Sequence, residues 1–299
     1  MIKRKIQSIY HLFVNTDSGA EHYGQEASNI IKEELLKNKA SMIARLGSTE
    51  LRTMVHILKL KTNPYNIFRK ALNFEVFNAI ENASGFFPAN HNMLEKFTEL
   101  MIEDMQYVDI LGSWRSEEKY FKNELSHTVK IRLKDIEPYY HQNPWTEILE
   151  DKKILIVHPF TESIISQYSK RKLLFKDPRI LPNFELKTVK SVQSIAGNKP
   201  AFPSWFDALN LMKEQIVNQD FDIAIVGCGA YGFPLAAHIK RMGKKVVHMG
   251  GATQIWFGIF GKRWESNPII SSFKNEHWIH PSTNEIPKNF KKVEQGGYW

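Results

Sequence analysis

The sequence predicts an α/β fold, a Rossmann-like parallel sheet with helices on both faces and helical additions at the N-terminus. Short apolar strands alternate with amphipathic helices along the 299 residues, which is the pattern of successive βαβ units. The clearest unit is residues 222–251, where a β-branched run, a glycine turn, a helix and a second strand follow one another. With 42% hydrophobic residues, the chain can bury a large core. We therefore expect a single α/β domain over residues 1–299, with a helical N-terminal extension at 1–40 and a helical sub-region at 60–150.

The individual elements follow from hydrophobic periodicity and from the residues that start and stop helices. Apolar side chains at helical spacing predict helices at 25–38, from Ser48 onward, 66–83, 91–106, 161–175, 204–219 and 234–241. Short β-branched or apolar runs predict strands at 41–46, 108–111, 153–157, 185–189, 222–226 and 245–249. The aromatic-rich sequence that follows the strand at 108–111 and contains Pro138 and Pro144 is predicted to be irregular to about residue 150.

Residues 227–232, spelled GCGAYG, have the spacing G-x-G-x-x-G of dinucleotide-binding folds. In NAD-binding proteins the next strand ends in an acidic residue that binds the ribose. Here the next strand ends in HMGG, residues 248–251, so we expect no NAD. Backbone N–H groups at a helix start bind anions, which makes both glycine turns candidates for holding a phosphate. The alternative is that the glycines serve only tight turns and close packing.

Composition limits the class of protein. The formal net charge of +8 favours phosphate-bearing ligands, nucleic acid or an anionic membrane face as partners. A single cysteine, Cys228, excludes an internal disulfide and suits the cytoplasm. No apolar run approaches the ~18 residues of a membrane span, and polar residues interrupt the apolar run near the N-terminus, so no signal peptide is expected. We expect a cytoplasmic protein, either free or in peripheral contact with the inner membrane face.

The strand at 41–46 carries an arginine near its end, where a charged side chain needs a partner. Arg45 is followed by a turn at Gly47 and by a helix with Ser48 and Glu50 in its first turn. Ordinary helix capping accounts for Ser48, and the helix dipole accounts for Glu50. Neither accounts for Arg45, whose guanidinium would pair with Glu50 or with a ligand phosphate.

Two further strand ends carry polar side chains. His158 lies at the end of the strand at 153–157, where binding and catalytic groups concentrate in parallel sheets. Thr161 and Glu162 follow it at a helix start, where simple capping is the alternative role. Gln193 and Ser194 form a similar turn after the strand at 185–189.

The carboxyl-terminal part interleaves basic residues with aromatic ones. Gln254, Lys262 and Arg263 alternate with Trp256 and Trp264. This mixture suits a site for a planar base, a sugar ring or a diphosphate, and it equally suits a surface helix that packs its aromatic side inward.

These motifs together resemble a known family. The run ARLGSTEL, residues 44–51, resembles the ARFGDGEL-like motif of the GT-D glycosyltransferases. Several later segments of the chain also resemble segments of bacterial GT-D-type proteins from surface-polysaccharide gene clusters. These segments are ILIVHPFTESIISQY, SVQSIAG, VGCGAYGFPLAAHIKRMGKKVVHMGG, FGIFGKRW and NEIPKNFKKVEQGGYW. The resemblance extends from about residue 41 to the end and lies in several motifs in the same order.

The resemblance implies a GT-D-like nucleotide-sugar-binding fold that transfers sugar from a nucleoside-diphosphate sugar, such as a UDP-sugar, to a glycan or lipid-linked acceptor. In the founding members a D-x-E motif holds Mn²⁺ or Mg²⁺. Its positions fall on Ser48, Thr49 and Glu50, so the first carboxylate is absent and Glu50 is the one candidate metal ligand. Glu50 and His158 are the candidate catalytic residues: Glu50 would bind a metal or act on the acceptor hydroxyl, and His158 is the other candidate base. The residues expected to bind nucleotide or sugar are Arg45, Gly47, Ser48, Thr161, Gln193, Gly227, Gly229, Tyr231, Gly232, Gly250, Gly251, Gln254, Lys262 and Arg263.

Two other functions remain open from the sequence. The chain would also suit a non-catalytic nucleotide- or phosphosugar-binding protein of a polysaccharide assembly pathway. Nucleic-acid binding agrees with the basic charge, but no basic helix or recognised motif supports it, so we expect no nucleic-acid partner.

Overall fold

The computed structural model describes residues 19–62, 72–198 and 200–299 of the chain. In this part of the chain one seven-stranded sheet forms, and every strand pair in it is parallel. The order across the sheet is β3-β2-β1-β7-β6-β4-β5. The strands are β1 (Ser41–Ala44), β2 (Ile110–Ser113), β3 (Val129–Arg132), β4 (Lys153–His158), β5 (Glu185–Lys190), β6 (Ile223–Val226) and β7 (Lys245–His248).

Helices cover both faces of the sheet, so the predicted α/β architecture is confirmed. They are α1 (Gly24–Leu36), α2 (Ser48–Thr62), α3 (Asn73–Ala79), α4 (His91–Met105), α5 (Thr161–Ser169), α6 (Trp205–Val217), α7 (Gly232–Arg241), α8 (Thr253–Trp256) and α9 (Pro268–Phe273). A π-turn, Ile80–Ser84, follows α3 directly. None of the helices in the described ranges is both long and apolar enough to cross a membrane.

The side chains of alternate strand residues pack in two separate cores, as expected for a sheet buried on both faces. Met42 of β1 packs with α2, α4, α6 and α7 in one core. Its neighbour Ile43 packs with α1, α5, α8 and α9 in the other. The same alternation places Val246 and Val247 of β7 in different cores. The continuous apolar runs in the sequence therefore reflect burial of both strand faces.

Most predicted elements agree with the structure to within a few residues. Ser204 caps α6 as expected, since its Oγ accepts a hydrogen bond from the Asp207 backbone N–H at 3.4 Å. The helix predicted at 234–241 begins two residues earlier, at Gly232. The helix predicted at 66–83 is observed only as α3 and its π-turn, and residues 63–71 lie outside the described part of the chain.

The prediction of irregular structure before residue 150 was wrong for β3. Only Ile131 of this edge strand is buried, so the sequence lacks the apolar run that indicates a strand. The predicted sub-region 60–150 therefore contains α3 and α4 together with strands β2 and β3. Of the predicted N-terminal extension, α1 is described and residues 1–18 are not.

The sheet order brings four of the sequence-predicted turns to one place. β1, β7, β6 and β4 are consecutive neighbours, and their parallel registers align the carboxyl ends. Val226 pairs with His248 and Val157 pairs with Val226. The turns that follow these strands consequently meet along one edge of the sheet, the edge where open α/β sheets bind ligands.

Candidate functional site

A cavity lies at the carboxyl ends of the strands and encloses about 1040 Å³ of space, part of it open to solvent. Its wall is built from the turns after β1, β4, β5, β6 and β7, with additions from the π-turn and from residues 294–299. All but three of the sequence-predicted site residues line it: Arg45, Gly47, Ser48, Glu50, His158, Gln193, Gly227, Gly229, Tyr231, Gly250, Gly251, Gln254 and Arg263. The segments that carry the family resemblance thus converge on one cavity.

Thr161 lies outside the cavity wall, and the helix it begins already holds an anionic partner. The buried carboxylate of Glu285 accepts hydrogen bonds from the backbone N–H of Glu162 at 2.8 Å and of Ser163 at 3.2 Å. The Ser163 hydroxyl donates to the same carboxylate. Thr161, which was predicted to bind nucleotide or sugar, therefore begins a helix whose N-terminal N–H groups are already paired with Glu285.

Gly232 and Lys262 are also absent from the wall. A Cβ on Gly232 would lie 2.3 Å from Nε2 of His248, so this glycine makes room for a buried imidazole ring. Lys262 is exposed on a 3₁₀ turn. For Gly232 the close-packing interpretation of the glycine motif is therefore the one that the geometry supports.

Arg45 is half-buried in the wall, and its guanidinium lies over the ring of Trp114, 5.5 Å from the centroid. Burial lowers the pKa of Arg45 from its usual value, and the negative charge of Glu50 opposes this shift. The guanidinium stays protonated, since arginine is not deprotonated in proteins. No carboxylate of the described residues forms an ion pair with it within 4.0 Å. A desolvated cation without such a partner is suited to an anionic ligand.

Arg263 supplies a second guanidinium at the same end of the cavity. Its side chain is 41% exposed and lies 3.6 Å from the Glu294 carboxylate. It also donates a hydrogen bond to the hydroxyl of Tyr298 at 2.5 Å. The pKa of Arg263 is raised, first by interaction with Tyr298, with burial opposing the shift and Glu294 adding to it. Arg263 is therefore oriented by residues near the end of the described chain.

Glu50 occupies the first turn of α2 and is 8% exposed. Its carboxylate folds back over Gly47, where a Cβ would lie 1.8 Å from Oε2. Any side chain at residue 47 would consequently displace this carboxylate. Gly47 and Glu50 act as one unit that keeps an acidic group in the wall near Arg45.

His158 is 2% exposed, and its Nδ1 accepts a hydrogen bond from the Phe160 backbone N–H at 3.0 Å. Burial lowers the pKa of His158 to about 3. The imidazole is therefore neutral near pH 7, and with Nδ1 accepting, its proton is on Nε2. This tautomer donates a hydrogen bond from Nε2, so the geometry favours a donor role for His158 over the predicted role of a base.

The remaining glycines of the wall have distinct structural reasons. A Cβ on Gly227 would lie 2.5 Å from the Gly250 carbonyl oxygen and 2.9 Å from Cδ2 of His158. Gly229 and Gly250 have φ values of +57° and +65°, in the left-handed region that favours glycine. Both turns thus bring backbone close to the cavity in conformations that other residues rarely adopt.

Several buried polar atoms of the wall have no hydrogen-bond partner among the described residues. Native proteins leave few such atoms, and those that occur often belong to functional sites. Burial and the charge of Arg45 lower the pKa of His248 to about 3, and interaction with the Arg45 backbone opposes this shift. The unpartnered wall atoms are Ser191 Oγ, Gln193 Nε2, His248 Nδ1, His248 Nε2 and Trp299 Nε1.

Fifteen of the wall residues were not among the predicted site residues, and they include Ser84, Trp114, Glu294, Tyr298 and Trp299. Trp114 directly follows β2, so the rule that ligand sites lie at strand ends would have found it. The other four lie on the π-turn and on the segment after residue 293, where no strand end marks them. Their position depends on contacts between residues far apart in the chain.

The residues present do not fit the metal site that the family resemblance implies. The motif positions offer a hydroxyl and one carboxylate, from Ser48 and Glu50. In the described ranges, no group of three or more His, Cys, Asp and Glu side chains is arranged to hold a metal ion. Mg²⁺ and related cations prefer carboxylate oxygens together with substrate phosphates. No step proposed below uses a metal.

Comparisons with models of protein families, with curated proteins and with solved structures find no match to this chain. The functional argument therefore depends on the motifs and on the geometry of the cavity.

Proposed function

We propose that the chain is a glycosyltransferase that moves a sugar from a nucleoside-diphosphate sugar to a surface-polysaccharide or glycoconjugate acceptor. The observation that carries the proposal is the guanidinium of Arg45, which forms no ion pair with a carboxylate of the described residues and lines a cavity that also contains Glu50 and two glycine turns. The segments resembling GT-D glycosyltransferases border this same cavity, which supports the proposal independently of charge.

The proposed reaction exchanges one bond at the anomeric carbon of the sugar. The bond to the diphosphate oxygen breaks, and its electron pair leaves with the nucleoside diphosphate. The acceptor hydroxyl oxygen forms the new bond and loses its proton. Arg45 and Arg263 stabilise the charge that develops on the diphosphate. Glu50 accepts the hydroxyl proton or orients that hydroxyl, and His158 donates a hydrogen bond from Nε2.

We assign the reaction to the cytoplasm, either free or at the inner face of the membrane. The single cysteine suits a reducing compartment. The net charge of +8 suits anionic substrates and anionic lipid headgroups.

The second candidate is a non-catalytic protein that binds a nucleotide or phosphosugar for polysaccharide assembly. It is favoured by the small number of acidic groups in the wall. Of the two wall carboxylates in the described chain, Glu294 lies near Arg263, which leaves Glu50 as the acidic group available for catalysis.

Turnover separates the two candidates. The purified protein is incubated with UDP-, GDP- and dTDP-sugars, with and without cell-envelope glycan acceptors, and release of nucleoside diphosphate is measured. We expect release from at least one donor, accelerated by acceptor. Tight binding of a nucleotide sugar without any release would favour the non-catalytic candidate. Failure to bind any of these donors would contradict both.

A further inference from the structure

The cavity has a cationic end and an uncharged end, formed by different strands. Arg45 follows β1, whereas Ser191 and Gln193 follow β5. β1 and β5 are separated by four strand intervals in the order β1-β7-β6-β4-β5. At ~4.8 Å per interval, their ends are roughly 19 Å apart along the sheet edge. A ligand that reaches both ends must therefore have two chemically different parts.

The β5 end offers uncharged polar groups. Ser191 Oγ and Gln193 Nε2 are buried and have no hydrogen-bond partner in the described part of the chain. The neighbouring Ser194 hydroxyl donates to the Gly85 carbonyl oxygen at 2.5 Å and lies 3.1 Å from the Tyr231 hydroxyl. The wall residues described on this side, at 83–84 and 191–195, carry no charged side chain.

Aromatic side chains of the core support the Tyr231 side of this end. The Tyr231 ring stacks on Trp205 with centroids 5.0 Å apart and ring planes 8° from parallel. Trp205 in turn packs against Phe86 and Phe97 in the core. The turn itself is attached to β4, since the Ser191 backbone N–H donates a hydrogen bond to the His158 carbonyl oxygen at 3.2 Å.

We propose that the β5 end of the cavity binds the sugar of the nucleotide sugar, through hydrogen bonds to Gln193 Nε2 and Ser191 Oγ. A sugar presents several uncharged hydroxyl or amide groups, which can form hydrogen bonds with these two atoms. A diphosphate at this end would have no positively charged side chain among the described wall residues to pair with. The diphosphate then lies at the Arg45 end, with the nucleoside beside the aromatic side chains of Trp114 and Tyr298. This inference rests on the proposed function and adds the residues that select the sugar.

The test uses calorimetric titration of the full-length protein and of the variants Ser191→Ala and Gln193→Leu. The probes are inorganic pyrophosphate, UDP, GDP and dTDP, together with UDP-glucose, UDP-N-acetylglucosamine, GDP-mannose and dTDP-glucose. For the best-bound nucleotide sugar we expect each variant to lose affinity about tenfold or more, because the site is built to hydrogen-bond the sugar. Affinity for the matching nucleoside diphosphate and for pyrophosphate should stay within about twofold of wild type, because these probes make none of the lost hydrogen bonds.

Stability provides the control for folding. Ser191 Oγ and Gln193 Nε2 have no hydrogen-bond partner among the described residues, so neither substitution should lower the melting temperature. Gln215→Leu, at an exposed position of α6, is the matched control and should change no affinity. Equal losses for the nucleotide sugar and its nucleoside diphosphate would overturn the inference by assigning this end to the nucleoside. Unchanged sugar affinity in both variants would also overturn it, whereas a wild type that binds none of the nucleotides would overturn the proposed function itself.

Discussion

Glu50 is the acidic side chain that the proposed chemistry needs, and it is held in the first turn of α2 against Gly47. Replacing it with glutamine keeps the shape and removes the charge. If Glu50 only complemented the helix dipole, Glu50→Gln would cost ~1 kcal/mol or less and leave turnover intact. We expect turnover to fall on the order of 10²-fold or more with the fold preserved. Donor turnover and thermal melting of both proteins test this, and full activity in the variant would contradict it.

Addition of EDTA then separates the two roles open to Glu50. We expect wild-type turnover to persist in EDTA, because the motif offers one carboxylate and one hydroxyl to a cation. Inhibition that Mn²⁺ reverses would instead identify Glu50 as a metal ligand.

The buried His158 makes the free energy of unfolding depend on pH. Its pKa in the folded chain is about 3, lowered by burial, against about 6.5 in the unfolded chain. Between these values the unfolded chain binds a proton that the folded chain does not, so the free energy of unfolding falls as the pH falls below about 6.5. His158→Gln should reduce the slope of that free energy with pH by up to about 1.4 kcal/mol per pH unit.

Urea denaturation at several pH values between 4.5 and 7 measures this slope. His127 is exposed, so His127→Gln is the control for the loss of an imidazole that is not buried. Identical slopes for the wild type and His158→Gln would show that His158 is not held neutral by the fold.

At the scale of elements, the turn between β6 and α7 combines backbone strain with closeness to the cavity. Gly229 has φ of +57°, and a Cβ there would lie 3.1 Å from the Ser84 carbonyl oxygen. Gly243, at the end of α7, has φ of +79° with nothing within 4 Å of its Cβ position. Alanine at either residue therefore costs about 1–2 kcal/mol of stability from the left-handed conformation.

Only Gly229→Ala should also weaken binding of nucleoside diphosphates, because only that turn borders the cavity. The comparison needs melting temperatures and titration of both variants with the best-bound nucleoside diphosphate. A loss of affinity in Gly243→Ala equal to that in Gly229→Ala would mean that the effect comes from stability alone.

The start of α5 is stabilised by a residue more than a hundred positions further along the chain. Glu285 is 2% exposed and accepts hydrogen bonds from Glu162 and Ser163. Glu285→Ala leaves those buried donors unpaired, so we expect a loss of about 2 kcal/mol in the free energy of unfolding. Affinity for nucleoside diphosphates should change little, since neither Glu285 nor Thr161 lines the cavity. Chemical denaturation and titration check both parts, and strong loss of affinity with unchanged stability would contradict the capping role.

For the whole molecule, local sequence was sufficient to predict every strand but β3, the longer helices and 13 of the 28 residues of the cavity wall. The apolar runs predicted strands, and the rule that parallel strand ends meet at one edge accounts for the common cavity of Arg45, His158 and the 227–232 turn. That rule could not show that Glu285 occupies the α5 N-terminus or that Gly232 accommodates His248. It also could not place Tyr298 beside Arg263, because each of these contacts joins segments distant in sequence.

The central claim is that the cavity binds the diphosphate of a nucleotide sugar through Arg45. The most direct measurement is calorimetric titration of the wild type, Arg45→Met and Arg52→Met with UDP, GDP and dTDP at fixed salt. Arg52 is exposed on α2, outside the cavity wall, and its substitution changes the net charge equally. We expect at least one nucleoside diphosphate to bind the wild type and Arg52→Met alike, and Arg45→Met to bind it about 10- to 100-fold more weakly. Equal affinity in Arg45→Met and the wild type, or no binding to any of the three proteins, would contradict the account.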